Sequence, residues 1–156
     1  MSNIFSKLLI YLDNKNPMQI FYTLPEALHT PILLADGAVA AGFPSPAGDY
    51  LDTRIDIFEY LVQHPTATFY VRVKGNSMIN ASIHDGDLLV VDRSIEPKNN
   101  QIVVAIIDGE FTVKRISKYN NKLYLIPENE KFKPMEITEN MGFEVWGVVT
   151  YVIHKP

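Results

Sequence analysis

Apolar and polar positions alternate over much of the second half of the chain. Phe69, Val71 and Val73 alternate with Tyr70, Arg72 and Lys74, which predicts a half-buried strand over 69–74. Leu88-Leu89-Val90-Val91 is a short continuous apolar run after the Asp85-Gly86-Asp87 turn and predicts a buried strand. Ile102 to Ile107 and Phe111 to Ile116 flank Asp108-Gly109, a strong short hairpin signal. Lys122 to Ile126 and Phe143 to Ile153 supply two more strands. Before them, Leu51, Ile55, Phe58 and Val62 recur at helical spacing, with Asp52 as the expected N-cap or first-turn acid and His64-Pro65 as the stop. The pattern as a whole predicts a mainly β, antiparallel domain with one short helix at its start.

The first part of the chain reads differently. Ile4 to Leu12 is apolar but interrupted by Lys7 and closed by Asp13, which predicts a short amphipathic helix or arm segment. It is much shorter than the roughly 20 apolar residues of a membrane span and lacks the basic start of a signal peptide. Pro17, Pro25 and Pro31 break the stretch after Asp13. We therefore divide the chain into a flexible N-terminal arm, residues 1–41, and a β domain, residues 42–156. At the junction stands Ala40-Ala41-Gly42-Phe43-Pro44-Ser45-Pro46, where each proline pushes the residue before it towards extended geometry.

Composition narrows the function classes. The 156 residues suffice for one domain with a hydrophobic core. The net charge of −4 and the lack of a dense Lys/Arg block argue against strong direct DNA binding. The chain has no cysteine, so disulfides and thiolate metal sites are excluded. His29, His64, His84 and His154 show no metal-ligand spacing, and no metal or cofactor is expected. Asp85 and Asp87 read as turn residues without the further ligands of a calcium loop. The expected location is the cytoplasm.

Two residues carry candidate chemistry. Ser77 follows the strand over 69–74 and Gly75, a place where a hydroxyl on a rigid turn can lie beside backbone N–H groups able to hold an oxyanion. Taken alone, a serine after a glycine reads first as a turn residue. Lys114 lies in the hairpin strand, on the face shared with Thr112 and Ile116. A lysine in apolar surroundings loses basicity and can accept a serine proton, whereas in solvent it is only a surface cation. Arg115 cannot serve, because a guanidinium does not deprotonate in proteins. His84 remains a competing base, since triads are recognised by geometry rather than by spacing.

Together these stretches are more specific. Gly75-Asn76-Ser77-Met78, then Asp85-Gly86-Asp87-Leu88-Leu89-Val90-Val91-Asp92, then Asp108-Gly109-Glu110-Phe111-Thr112-Val113-Lys114-Arg115 resemble the peptidase domain of the LexA/UmuD family of self-cleaving Ser-Lys peptidases. Gly42-Phe43-Pro44-Ser45-Pro46-Ala47, Asp49-Tyr50, Arg54-Ile55-Asp56 and Gln63-His64-Pro65-Thr66-Ala67-Thr68 are similar to its UmuD branch. The resemblance runs from about Ala41 to the C-terminus. It implies Ser77 as nucleophile, Lys114 as general base, Ala41–Gly42 as the scissile bond, and an oxyanion hole that includes the backbone N–H of Ser77. It also implies a LexA/signal-peptidase-like fold and a homodimer. Beyond these it implies cleavage stimulated by RecA filaments on single-stranded DNA, and a shortened form that joins a UmuC-type subunit as the error-prone translesion DNA polymerase V of the SOS response. Two features depart from the pattern: the arm is longer than usual, and Asn76 stands where an acidic residue is common. A repressor of this family also carries a helix-turn-helix domain, which 41 proline-broken residues are too few to build. Two alternatives remain at this point. One is a signal-peptidase-like protease, which needs a membrane anchor; the other is a non-catalytic regulatory subunit of the same fold.

Overall fold

The structure, a computed structural model, describes the backbone of Ile10–Tyr11, Ile20–Tyr22, Ile32–Ala35 and residues 52–156, with side chains from Arg54 onward. Strands dominate: β1 (Ile10–Tyr11), β2 (Ile20–Tyr22), β3 (Ile32–Ala35), β4 (Asp52–Ile55), β5 (Thr68–Arg72), β6 (Leu88–Asp92), β7 (Ile102–Ile107), β8 (Glu110–Tyr119), β9 (Lys122–Ile126), β10 (Met135–Ile137) and β11 (Phe143–Ile153). The described residues hold one α-helix, α1 (Ile57–Leu61), and a single 3-10 turn at Ile79–Ala81. Nine strands form one antiparallel sheet in the order β1-β2-β5-β6-β11-β7-β8-β9-β10, and β3 pairs with β4 apart from it. No helix among the described residues is long and apolar enough to cross a membrane.

The alternation of β5 appears as predicted. Phe69 and Val71, with Val73 just beyond, are buried, while Arg72 and Lys74 face solvent. They pack with Met78, Ile83, Leu89, Val91, Val104 and Val113 into one core. A second core joins Val103, Ala105, Ile116, Leu125 and Val148. Val104 serves the first core while its neighbours Val103 and Ala105 serve the second. Both faces of β7 are therefore covered, which explains its near-continuous apolar run. The Asp108-Gly109 turn has φ values of 50° and 87°, the doubly positive pair that a two-residue hairpin turn requires. Asn120-Asn121, at 48° and 61°, repeats the device between β8 and β9.

The structure corrects the start of the helix. Asp52 opens strand β4, where it lies opposite Ala35. The N-cap is Asp56, whose Oδ1 accepts hydrogen bonds from the N–H groups of Phe58 (2.9 Å) and Glu59 (3.2 Å). Leu51 and Ile55 match a helical stripe in sequence, but pairing with β3 holds residues 52–55 extended. Along residues 1–41, the pattern predicted little regular structure after the first twelve residues and a helix or arm segment before that. Ile10–Tyr11, Ile20–Tyr22 and Ile32–Ala35 are short strands, and β2 adds to the large sheet beside β5, while the rest of the expected Ile4–Leu12 segment and arm lies outside the described residues.

Gly147 sits where β11 crosses β6. A Cβ on it would meet Val91 Cγ1 at 2.7 Å and the backbone oxygen of Asp92 at 3.1 Å. Beside it, the pairing of β11 with β7 skips Trp146 as a bulge. The Trp146 ring lies between Phe69 and Phe111, 4.5 and 4.6 Å from their centroids. Phe111 in turn lines the cleft that holds Ser77.

Candidate active site

Three elements meet around Ser77. Beyond β5 the chain stays in register with the loop before β6: Val73 N–H donates to the Asp87 carbonyl (2.8 Å), and Gly86 N–H donates to the Val73 carbonyl (2.9 Å). It then turns at Gly75, whose φ of 91° suits glycine. Asp85 fixes that turn, its Oδ1 accepting from Gly75 N–H at 2.6 Å. Asn129 Nδ2 donates to the Asn76 carbonyl at 2.7 Å, and Asn80 N–H donates to the Glu128 carbonyl at 2.8 Å. Met78, buried, anchors the loop in the core. Ser77 is thus held from both sides by groups distant in sequence.

Strand β8 brings Lys114 to the same place. Its Nζ lies 2.9 Å from Ser77 Oγ, 2.9 Å from Thr112 Oγ1 and 2.9 Å from the Val113 carbonyl oxygen. As an ammonium, Lys114 donates to all three. As a neutral amine, it keeps two N–H bonds, to Thr112 and Val113, and turns its lone pair to the Ser77 hydroxyl. Burial pulls the Lys114 amine below its ordinary value of 10.5. The surrounding cleft, about 140 Å³, is walled by Val73, Gly75, Met78, Phe111 and Val113. A serine hydroxyl beside an amine of lowered basicity is suited to nucleophilic attack on a carbonyl.

The structure therefore brings Ser77 and Lys114 together. Ala41 and Gly42 lie outside the described residues. His84 is engaged elsewhere: its backbone N–H donates to Asp87 Oδ2 (2.7 Å), and its ring lies beside His154. Sequence placed Thr112 on the Lys114 face and Asp85 in a turn, but gave neither of them, nor Asn129, a part in the site. Thr112 carries a readable signal, since residues two apart on a strand share a face. The contact between Asn129 and Asn76 spans 53 residues and has none.

The histidines are less scattered than their spacing suggests. The pairing of Ile153 with Leu88, extended by one residue, sets His154 opposite Asp87. His154 Nδ1 and Asp87 Oδ1 are 2.7 Å apart, with His84 on the other side of the same carboxylate. Elsewhere, His64 Nδ1 meets buried Asp92 Oδ2 at 2.6 Å and ties the end of the α1 segment to β6.

Comparison with known proteins places the chain in a family. The family described as Peptidase S24-like matches residues 32–150. Protein MucA of Salmonella typhimurium is 47% identical over 114 residues, covering 72% of this chain and 77% of its own length. Protein ImpA of Shigella flexneri is 45% identical over 116 residues, covering 74% and 78% respectively. The LexA repressor of Pectobacterium carotovorum is 42% identical over 120 residues, covering 76% of this chain and 59% of the repressor.

Proposed function

The chain belongs to the Peptidase S24-like family, the LexA/UmuD family of its sequence motifs, and from that premise we propose that it cuts its own Ala41–Gly42 bond with Ser77 as nucleophile and Lys114 as general base. The observation that carries this reading is the 2.9 Å contact between Lys114 Nζ and Ser77 Oγ in a site where burial lowers the amine's basicity. Neutral Lys114 takes the hydroxyl proton as Ser77 Oγ bonds to the Ala41 carbonyl carbon. The Ser77 backbone N–H, with a neighbour, holds the resulting oxyanion. The intermediate collapses as the bond to Gly42 nitrogen breaks, and the Lys114 ammonium returns its proton to the leaving amine. Water, deprotonated by Lys114, then attacks the acyl group on Ser77; the acyl–Oγ bond breaks as the Lys114 ammonium returns that proton to Ser77 Oγ, which frees the Ala41 carboxyl group. From Gly42 to Asp52 the chain can span about 30–36 Å when extended, enough to reach this site or that of a second copy.

In the cell, we infer, cleavage is stimulated by RecA filaments on single-stranded DNA. The shortened protein acts in the cytoplasm as a homodimer and as accessory subunit of a UmuC-type translesion polymerase in the SOS response. The similarity to MucA, ImpA and LexA supports this reading. Mass spectrometry of the purified protein with and without activated RecA filaments tests it. The expected product runs from Gly42 to Pro156. A different terminus removes the assignment of the bond, and an intact chain under activation removes the self-cleavage reading.

A further inference from the structure

Asp87 is buried at the head of β6, and two half-exposed histidine rings close over it. His154 Nδ1 lies 2.7 Å from Asp87 Oδ1, and His84 Nδ1 lies 3.6 Å from Asp87 Oδ2. The two rings are 5.0 Å apart, and one ligating atom from each of the three residues falls within 4.8 Å of the others. His84 Nδ1 is itself buried and has no hydrogen-bond partner. At 3.6 Å it is too far from the carboxylate for a hydrogen bond, yet solvent does not reach it.

We propose that His84, Asp87 and His154 bind one divalent transition-metal ion of the zinc class. Ligands held about 2.0–2.1 Å from a tetrahedral zinc stand about 3.4 Å from one another. The separation of His84 Nδ1 from Asp87 Oδ2 is close to that edge, and His154 already contacts the other oxygen of the same carboxylate. Two imidazoles and a carboxylate select zinc, cobalt, nickel or copper over magnesium or calcium, which prefer all-oxygen shells. Three protein ligands leave the fourth tetrahedral position for a water molecule. An ion there also gives His84 Nδ1 a partner and clamps the end of β11 to the loop whose Asp85 holds Gly75. The site is separate from Ser77 and Lys114 and stands whether or not the chain cleaves itself.

The test is calorimetric titration of the chelator-stripped full chain with Zn²⁺ at neutral pH. One ion per chain is expected. His84→Ala and His154→Ala should each weaken affinity by about tenfold or more, while His64→Ala, whose ring is bonded to Asp92, should leave it unchanged. Zinc should raise the melting temperature of the wild-type chain and not of the His84→Ala/His154→Ala double variant, whose metal-free melting curve reports its folding. Both exchanged rings are half-exposed, so these variants retain the core. Absence of saturable zinc uptake overturns the proposal, as does uptake that the folded double variant retains.

Discussion

Lys114 Nζ and Ser77 Oγ, 37 residues apart in sequence, stand 2.9 Å apart across the junction of β8 with the loop after β5. Thr112 and Val113 satisfy the other two donors of the same amine. The amine is thereby aimed, and its remaining position points at the hydroxyl.

Thr112→Val removes one of those acceptors without removing either reacting group. Self-cleavage should slow by about 10–100-fold, the loss typical of a misplaced reacting group. Melting temperature should change little, and Thr112→Ser should restore most of the rate. A Thr112→Val protein that cleaves at the wild-type rate contradicts the positioning role.

Lys114→Met tests the burial of the charge. Because burial lowers the folded-state pKa below 10.5, the folded protein disfavours the ammonium. That destabilisation is complete below the folded pKa, shrinks as pH rises through it, and vanishes above the unfolded value, where the amine is neutral in both states. Lys114→Met should therefore be the more stable protein at neutral pH, with its advantage narrowing as pH climbs. Urea midpoints across that range measure the gap; one that is constant or widens contradicts a buried, destabilised charge.

Gly147→Ala should destabilise the fold by about 1–3 kcal/mol, because its Cβ has no room beside Val91 and the Asp92 backbone. The cost should fall in a Val91→Ala background, since the two side chains then no longer compete. Equal costs in both backgrounds, read from chemical denaturation, contradict the steric explanation.

The strands were legible wherever one local signal sufficed. Phe69/Val71/Val73 alternate, and Asp108-Gly109 takes the doubly positive φ values that its residue types favour. The start of the helix was not: Asp52 and Asp56 are equally good caps in sequence, and only pairing of β4 with β3 decides between them. Met135–Ile137 was missed because a three-residue strand at a sheet edge shows no period. The meeting of Ser77 with Lys114 was readable because motifs mark both, while Asp85 and Asn129, which hold the loop around Ser77, act through a turn and a long-range contact. The meeting of His84 and His154 depends on the β6–β11 register, which no local spacing encodes.

The proposed self-cleavage turns on Lys114 as the proton acceptor for Ser77. Lys114→Arg keeps a cation at this position but cannot accept a proton under these conditions. Self-cleavage of the wild type, Lys114→Arg, Lys114→Ala and Ser77→Ala proteins at neutral pH, followed by mass, tests that role most directly. All three variants should stay intact while folded, and the wild-type rate should rise with pH through the lowered amine pKa and then level off. Substantial release of the Gly42–Pro156 fragment by Lys114→Arg would contradict it.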